Sequence, residues 1–117
     1  MIKIYGIKNC NSVKKAFDWL DEHNIQYEFH DYKKLGIDDD TAKTFIKHIG
    51  LDKVINRKGT TWRKLSESEQ QSADNEQTAI TLIQSNTSLI KRPIIAHRSG
   101  YLVGFSEEEY KISLGKK

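Results

Sequence analysis

Met1-Ile2-Lys3-Ile4-Tyr5-Gly6-Ile7-Lys8-Asn9-Cys10-Asn11-Ser12-Val13-Lys14-Lys15-Ala16-Phe17-Asp18-Trp19-Leu20 opens the chain and decides how the rest is read. Ile2, Ile4 and Ile7 with the β-favouring Tyr5 predict a short strand and its exit, and Gly6 marks the break after it. Val13, Ala16, Phe17 and Leu20 recur at i, i+3, i+4 and i+7, one apolar face of a helix. Asn11 or Ser12 is the expected N-cap, since either side chain can accept from first-turn amides. Cys10, the only cysteine, therefore falls between a strand end and a helix start. There the free N–H groups and the helix dipole favour thiolate over thiol.

A free thiol with a pKa near ~8.5 is only a few per cent ionised at neutral pH, and helix N-termini or nearby cations lower it to roughly 3.5–7.5. Nucleophilicity falls more slowly than pKa, with a Brønsted slope of ~0.4–0.5. Lys8, Lys14 and Lys15 add positive potential nearby. By position alone Cys10 reads equally well as a reactive thiol or as a small, inert hydrophobe.

Outward from this stretch, residues 27–32 predict a second strand, with Tyr27, Phe29 and Asp31 on one side and Glu28, His30 and Tyr32 on the other. Strand, helix and strand in this order make a βαβ unit with parallel strands. Residues 33–36 read as a polar turn. Asp38 to Asp40 supply capping carboxylates for a helix carrying Ala42, Phe45, Ile46 and Ile49, closed by Gly50. Leu51, Val54 and Ile55 predict a short helix ending near Asn56. Residues 57–61 read as loop, Trp62 and Leu65 as the anchors of a short turn, and residues 66–75 as polar surface. Asp74 with Gln77 is the expected capping box of a helix through Ala79, Ile80, Leu82 and Ile83, which Asn86 and Ser88 end. The final third changes period: Pro93 precedes a strand over residues 94–97, a turn follows, and residues 101–103 return antiparallel. Ser106 and Glu109 predict a second capping box, with Tyr110 and Leu114 on the buried side of a last helix stopped by Gly115.

The 117 residues suit one domain, 37% hydrophobic and 30% charged, which excludes a disordered or membrane-embedded chain. No apolar run approaches the ~18 residues of a spanning helix, and the N-terminus reads as a strand rather than a signal peptide. A lone cysteine rules out an internal disulfide and fits a reducing compartment, so a cytoplasmic location is expected. The net charge of +3 comes with small basic groups such as Lys33-Lys34, Arg57-Lys58 and Lys91-Arg92. These suit a small anion or an acidic surface, and nucleic-acid binding is not expected from them alone. C-x-x-C, H-E-x-x-H, G-x-G-x-x-G and P-loop motifs are missing. The four histidines have no metal-ligand spacing, so no metal is expected. Cys10 is the one nucleophile in a favourable setting.

A β-α-β…β-β-α order with a cysteine after the first strand and a proline opening the third resembles the thioredoxin fold. The segment from Tyr5 to Ala16 resembles the arsenate reductase (ArsC)-like family, in the branch shared by Spx and YffB-type reductases. So do Arg57-Lys58-Gly59-Thr60-Thr61-Trp62-Arg63-Lys64-Leu65, Lys91-Arg92-Pro93-Ile94-Ile95 and Leu102-Val103-Gly104-Phe105. Four blocks in the right order span the chain, and the YffB-type thiol reductases match best. The resemblance implies one α/β domain over residues 1–117 with a helical insertion at about 37–88. It sets Cys10 on the family's nucleophile, Arg57 and Arg92 on two active-site arginines, and Pro93 on the cis-proline of thioredoxin-like folds.

Two departures narrow the expectation. The arsenate reductases carry a third arginine where this chain reads Leu102-Val103-Gly104-Phe105, which points away from arsenate reduction. Spx regulators carry a second cysteine three residues after the first, where this chain has Val13. The expected function is a thiol reductase in which Cys10 attacks a small oxidised substrate and an external thiol, glutathione or a glutaredoxin-like protein, resolves the adduct. Lys14 and the first-turn amides would steady the thiolate, Arg57 and Arg92 would hold an anionic group, and Lys14 and Ser12 join these arginines as expected substrate-binding residues. No bound cofactor is implied; glutathione would be a cosubstrate. The alternatives are an Spx-like module binding the transcription machinery, with RNA polymerase as partner, or a weak arsenate reductase. Trp62 and Phe105 are expected in the core.

Overall fold

The computed structural model describes residues 2–115; Met1, Lys116 and Lys117 lie outside the described residues. The elements in order are β1 (Ile2–Gly6), α1 (Asn11–Glu22), β2 (Tyr27–Asp31), α2 (Tyr32–Leu35), α3 (Asp39–Ile49) and α4 (Leu51–Val54). Then come α5 (Thr60–Arg63), α6 (Glu67–Gln71), α7 (Glu76–Ser85), β3 (Ile94–His97), β4 (Gly100–Val103) and α8 (Glu107–Leu114). Short 3-10 turns at Ser72–Asp74 and Thr87–Leu89 flank α7. The four-stranded sheet has the order β2-β1-β3-β4. β1 runs parallel to β2, with Ile4 opposite Phe29, and antiparallel to β3, with Tyr5 opposite Ile94; β4 returns antiparallel to β3. This is the expected thioredoxin-like α/β sheet, with a helical segment between its second and third strands. No helix among the described residues is long and apolar enough to cross a membrane.

The described residues gather into two compact units, residues 2–35 with 92–115, and Gly36–Lys91. In the first, the alternation along β2 is as read. Phe17 of α1 stacks on Tyr27 (centroids 5.4 Å apart) and meets Phe29 edge-on at 5.0 Å. Ile4, Ala16, Leu20, Ile95, Leu102 and Tyr110 form a buried cluster with Trp19, and Phe105 packs against its margin. Each such large apolar side chain contributes on the order of 1.5–3 kcal/mol by leaving water. Trp19 lies beside the predicted stripe and is buried because Tyr110 of α8 meets its ring edge-on at 5.5 Å.

Several local expectations are corrected. β2 stops at Asp31, not residue 32, and residues 32–35 form the helical turn α2. The Asp31 carboxylate accepts from Lys33 N–H at 2.9 Å, which satisfies an amide that a strand would pair and turns the chain. In the second unit, Asp38 caps α3 as expected, accepting from Thr41 N–H at 2.8 Å, and Gly50 ends it at φ 102°. α4 ends at Val54 rather than near Asn56, because Ile55 is extended and bridges antiparallel to Ile90. Thr60 and Thr61 begin α5 instead of finishing a loop. The polar stretch 66–75 contains α6, opened by a reciprocal Ser66–Glu69 capping box, and its Ala73 is fully buried. α7 is capped by Asn75, which accepts from Gln77 and Thr78 N–H, and not by Asp74, which closes the preceding 3-10 turn. Trp62 and Phe105 are half-buried rather than core.

Candidate active site

Cys10 is itself the N-cap of α1, in place of the expected Asn11 or Ser12. Its backbone is extended (φ −135°, ψ 124°) while Asn11 already belongs to the helix. The Cys10 carbonyl accepts from Lys14 N–H at 3.0 Å, closing the first turn. Gly6 seats this helix start against β1: a Cβ there would stand 2.7 Å from Val13 Cγ2. The thiol is free and half-buried.

At the same end of the sheet the chain enters β3 through a cis Arg92–Pro93 bond, as the family resemblance implied. The Pro93 carbonyl accepts from Gly104 N–H at 2.8 Å, and Ile94 then pairs with Tyr5. Arg92 is thereby brought to Cys10. Burial, the largest single influence, pushes the Cys10 thiol up; the Val13 amide, the Arg92 side chain, the Ser12 amide and the Arg92 charge together outweigh it. The net effect holds Cys10 below the ordinary thiol range, at the helix N-terminus where free amides favour an anion.

Cys10, Ser12, Arg92 and Pro93 therefore come together. Ser12 contributes its amide. Lys14 is exposed on α1, and its part in the site, like that of Arg57, rests on the sequence reading. Arg57 belongs to the second unit, where its guanidinium lies over the Trp62 ring (5.3 Å to the centroid) and pairs with Asp52 at 3.6 Å. Its part in the site rests on the resemblance.

One residue escaped the sequence reading. Tyr32 is 1% exposed and stacks with Tyr5 at 6.3 Å, with His30 beside both. The available signal was its place immediately after the strand parallel to β1, where β2 delivers its last residue to the same sheet end. Among the described residues no group of three or more His, Cys, Asp or Glu side chains could hold a metal ion.

A thioredoxin-like sheet with a single cysteine capping the first helix and an arginine before the cis-proline defines a class of thiol-bearing proteins. The ArsC family description matches residues 5–113, so the chain belongs to the ArsC family. It is 44% identical over 111 residues to an uncharacterized protein of Haemophilus influenzae, covering 95% of this chain and 96% of that one. It is 30% identical to the global transcriptional regulator Spx of Listeria innocua, over 100% of this chain and 89% of Spx. Among solved structures, the YffB (PA3664) protein superposes with a TM-score of 0.91 at 43% identity, covering 97% of this chain and 99% of that one. An arsenate reductase (ArsC) related protein from Brucella melitensis gives 0.74 at 40% identity, over 96% and 92% of the two chains.

Proposed function

We propose that the protein is a thiol-dependent reductase that works through Cys10 alone and is resolved by an external thiol of the glutathione type. The observation that carries this is a cysteine at the N-cap position of α1 whose thiol the Val13 and Ser12 amides and Arg92 hold below the ordinary range. In the first step the Cys10 thiolate attacks one sulfur of a small disulfide. A Cys10–substrate disulfide forms, the substrate S–S bond breaks, and the departing thiolate takes a proton from water. In the second, the thiolate of an external thiol attacks the substrate sulfur of that mixed disulfide. Cys10 leaves as thiolate, and the amides and Arg92 that lower its pKa make it the better leaving group. Arg92 is also suited to a carboxylate of the tripeptide thiol, through the two parallel N–H bonds of its planar fork. Val13 stands where an internal resolving thiol would be needed, so the external one is required.

The test is reduction of a small glutathione mixed disulfide by reduced glutathione, with intact mass measured on quenched samples. Wild type is expected to turn over and to carry a glutathione adduct on Cys10, and Cys10→Ser to do neither. Turnover by Cys10→Ser equal to wild type would overturn the reading. A second reading has its own support in the 30% identity to Spx along the whole chain: a module that binds the transcription machinery. An unreactive Cys10 together with capture of RNA polymerase would favour it.

A further inference from the structure

Tyr32 Oη is the buried side-chain polar atom that has no hydrogen-bond partner among the described residues. Leaving a buried hydroxyl unpaired is costly, and nearly all such groups are satisfied. Its position is not arbitrary. Asp31 pairs with Gly6 at the last rung of the parallel strands, so Tyr32 leaves the sheet at the end where β1 exits toward Cys10. Arg92 enters β3 at that same end, two residues before the Ile94–Tyr5 pair. The rings of Tyr5 and His30 hold the Tyr32 ring from β1 and β2.

The charge of one guanidinium is felt at both groups. The charge of Arg92 acts on the Cys10 sulfur and also on the Tyr32 hydroxyl, although burial dominates there and keeps the phenol protonated. A guanidinium has five N–H donors and no acceptor, a thiolate is a strong acceptor, a thiol a weak one, and a neutral hydroxyl keeps lone pairs throughout. With Arg92 at the sulfur, Tyr32 Oη is left unpartnered.

We infer that Tyr32 is a positioning residue for Cys10 acting through Arg92, its hydroxyl oxygen being the guanidinium's alternative acceptor when Cys10 is protonated. As the thiol loses its proton to solvent, Arg92 transfers its N–H groups from Oη to Sγ. The hydroxyl thus stabilises the thiol form and sets how far the amides and Arg92 can depress its titration. The inference rests on the reading of Cys10 as the reactive thiol. The other ionisable groups at this end are Tyr5 on β1, His30 and Asp31 on β2, Lys33 on α2 and the exposed Lys8 and Lys14 beside Cys10.

The experiment is the pH dependence of iodoacetamide alkylation for wild type, Tyr32→Phe, Arg92→Ala and the double variant, with thermal melts for folding. Phenylalanine keeps the ring contacts and removes only the oxygen. Tyr32→Phe is expected to lower the Cys10 midpoint by about half to one pH unit, since an acceptor favouring the thiol is gone. In the Arg92→Ala background the same change is expected to do nothing. An unchanged or raised midpoint, or an equal shift without Arg92, overturns the role of Tyr32. A wild-type midpoint of an ordinary thiol overturns the reading of Cys10 itself, and the inference with it. On wild type alone, the Arg92 side-chain NMR resonances must move with the Cys10 midpoint and so must that of the Tyr32 ring; a Tyr32 ring that stays constant while Cys10 titrates also overturns it.

Discussion

Arg92, the residue before the cis-proline, acts on the sulfur of Cys10, the N-cap residue of α1, and with the Val13 and Ser12 amides holds that thiol below its ordinary range. Neither is catalytically informative alone. A lone cysteine is usually inert, and an arginine in a loop usually pairs with a surface carboxylate for ~0–1 kcal/mol. Joined, they give a sulfur that is half-buried yet held toward its anionic form.

The close approach of Gly6 to Val13 is what lets the helix start where it does. Gly6→Ala would set a Cβ 2.7 Å from Val13 Cγ2, so α1 must shift. A loss of about 1–3 kcal/mol is expected, as for overpacking elsewhere. Chemical denaturation should show it, together with a raised Cys10 midpoint. The double variant Gly6→Ala/Val13→Ala should be less destabilised than the sum of the two single changes. Additivity would mean the contact does not constrain α1.

Stability should depend on pH through Cys10. Its folded pKa is lowered, so between the folded and unfolded values the unfolded chain binds more protons and stability rises with pH. The contribution is fully present above the unfolded thiol value and is lost as pH falls through the folded one. The stability difference between wild type and Cys10→Ala, under reducing conditions, should grow in favour of wild type across that window. A flat difference would speak against a depressed folded pKa.

The caps of the second unit separate two sequence-level readings. Asn75→Ala should cost about 1 kcal/mol through loss of the bonds from Gln77 and Thr78 N–H, and Asp74→Ala close to nothing. Thermal denaturation of the two variants decides it; equal losses would return Asp74 to the cap.

Much of this architecture was legible because periodicity survives tertiary packing. Ile4 on β1, Ala16 and Leu20 on α1 and Ile95 on β3 are core residues that alternation or helical spacing alone located. What was not legible depends on contacts between distant parts of the chain. Tyr32 read as a strand residue, since nothing local shows that Asp31 would turn the backbone or that its hydroxyl would stay unpaired. α6 was hidden by a polar sequence whose helix depends on the Ser66–Glu69 box, and Ala73 is too small to announce a buried site. Cys10 was placed correctly at the helix start, but its role as the cap required the backbone angles.

Arsenate should be a poor substrate. After β4 the chain passes through Gly104 at φ 78° to Phe105, which packs edge-on against Tyr110 at 5.1 Å, and this segment offers no arginine to a tetrahedral oxyanion. A coupled assay with glutathione and a glutaredoxin is expected to give little or no turnover, and rates comparable with an authentic arsenate reductase would contradict this.

The alkylation rate of Cys10 against pH, for wild type and Arg92→Ala side by side, tests the central claim most directly. The amide and guanidinium contacts predict a wild-type midpoint clearly below the ~8.5 of a free thiol, a higher midpoint in Arg92→Ala, and partial recovery in Arg92→Lys. A wild-type midpoint at or above ~8.5, or one that Arg92→Ala leaves unchanged, would contradict it.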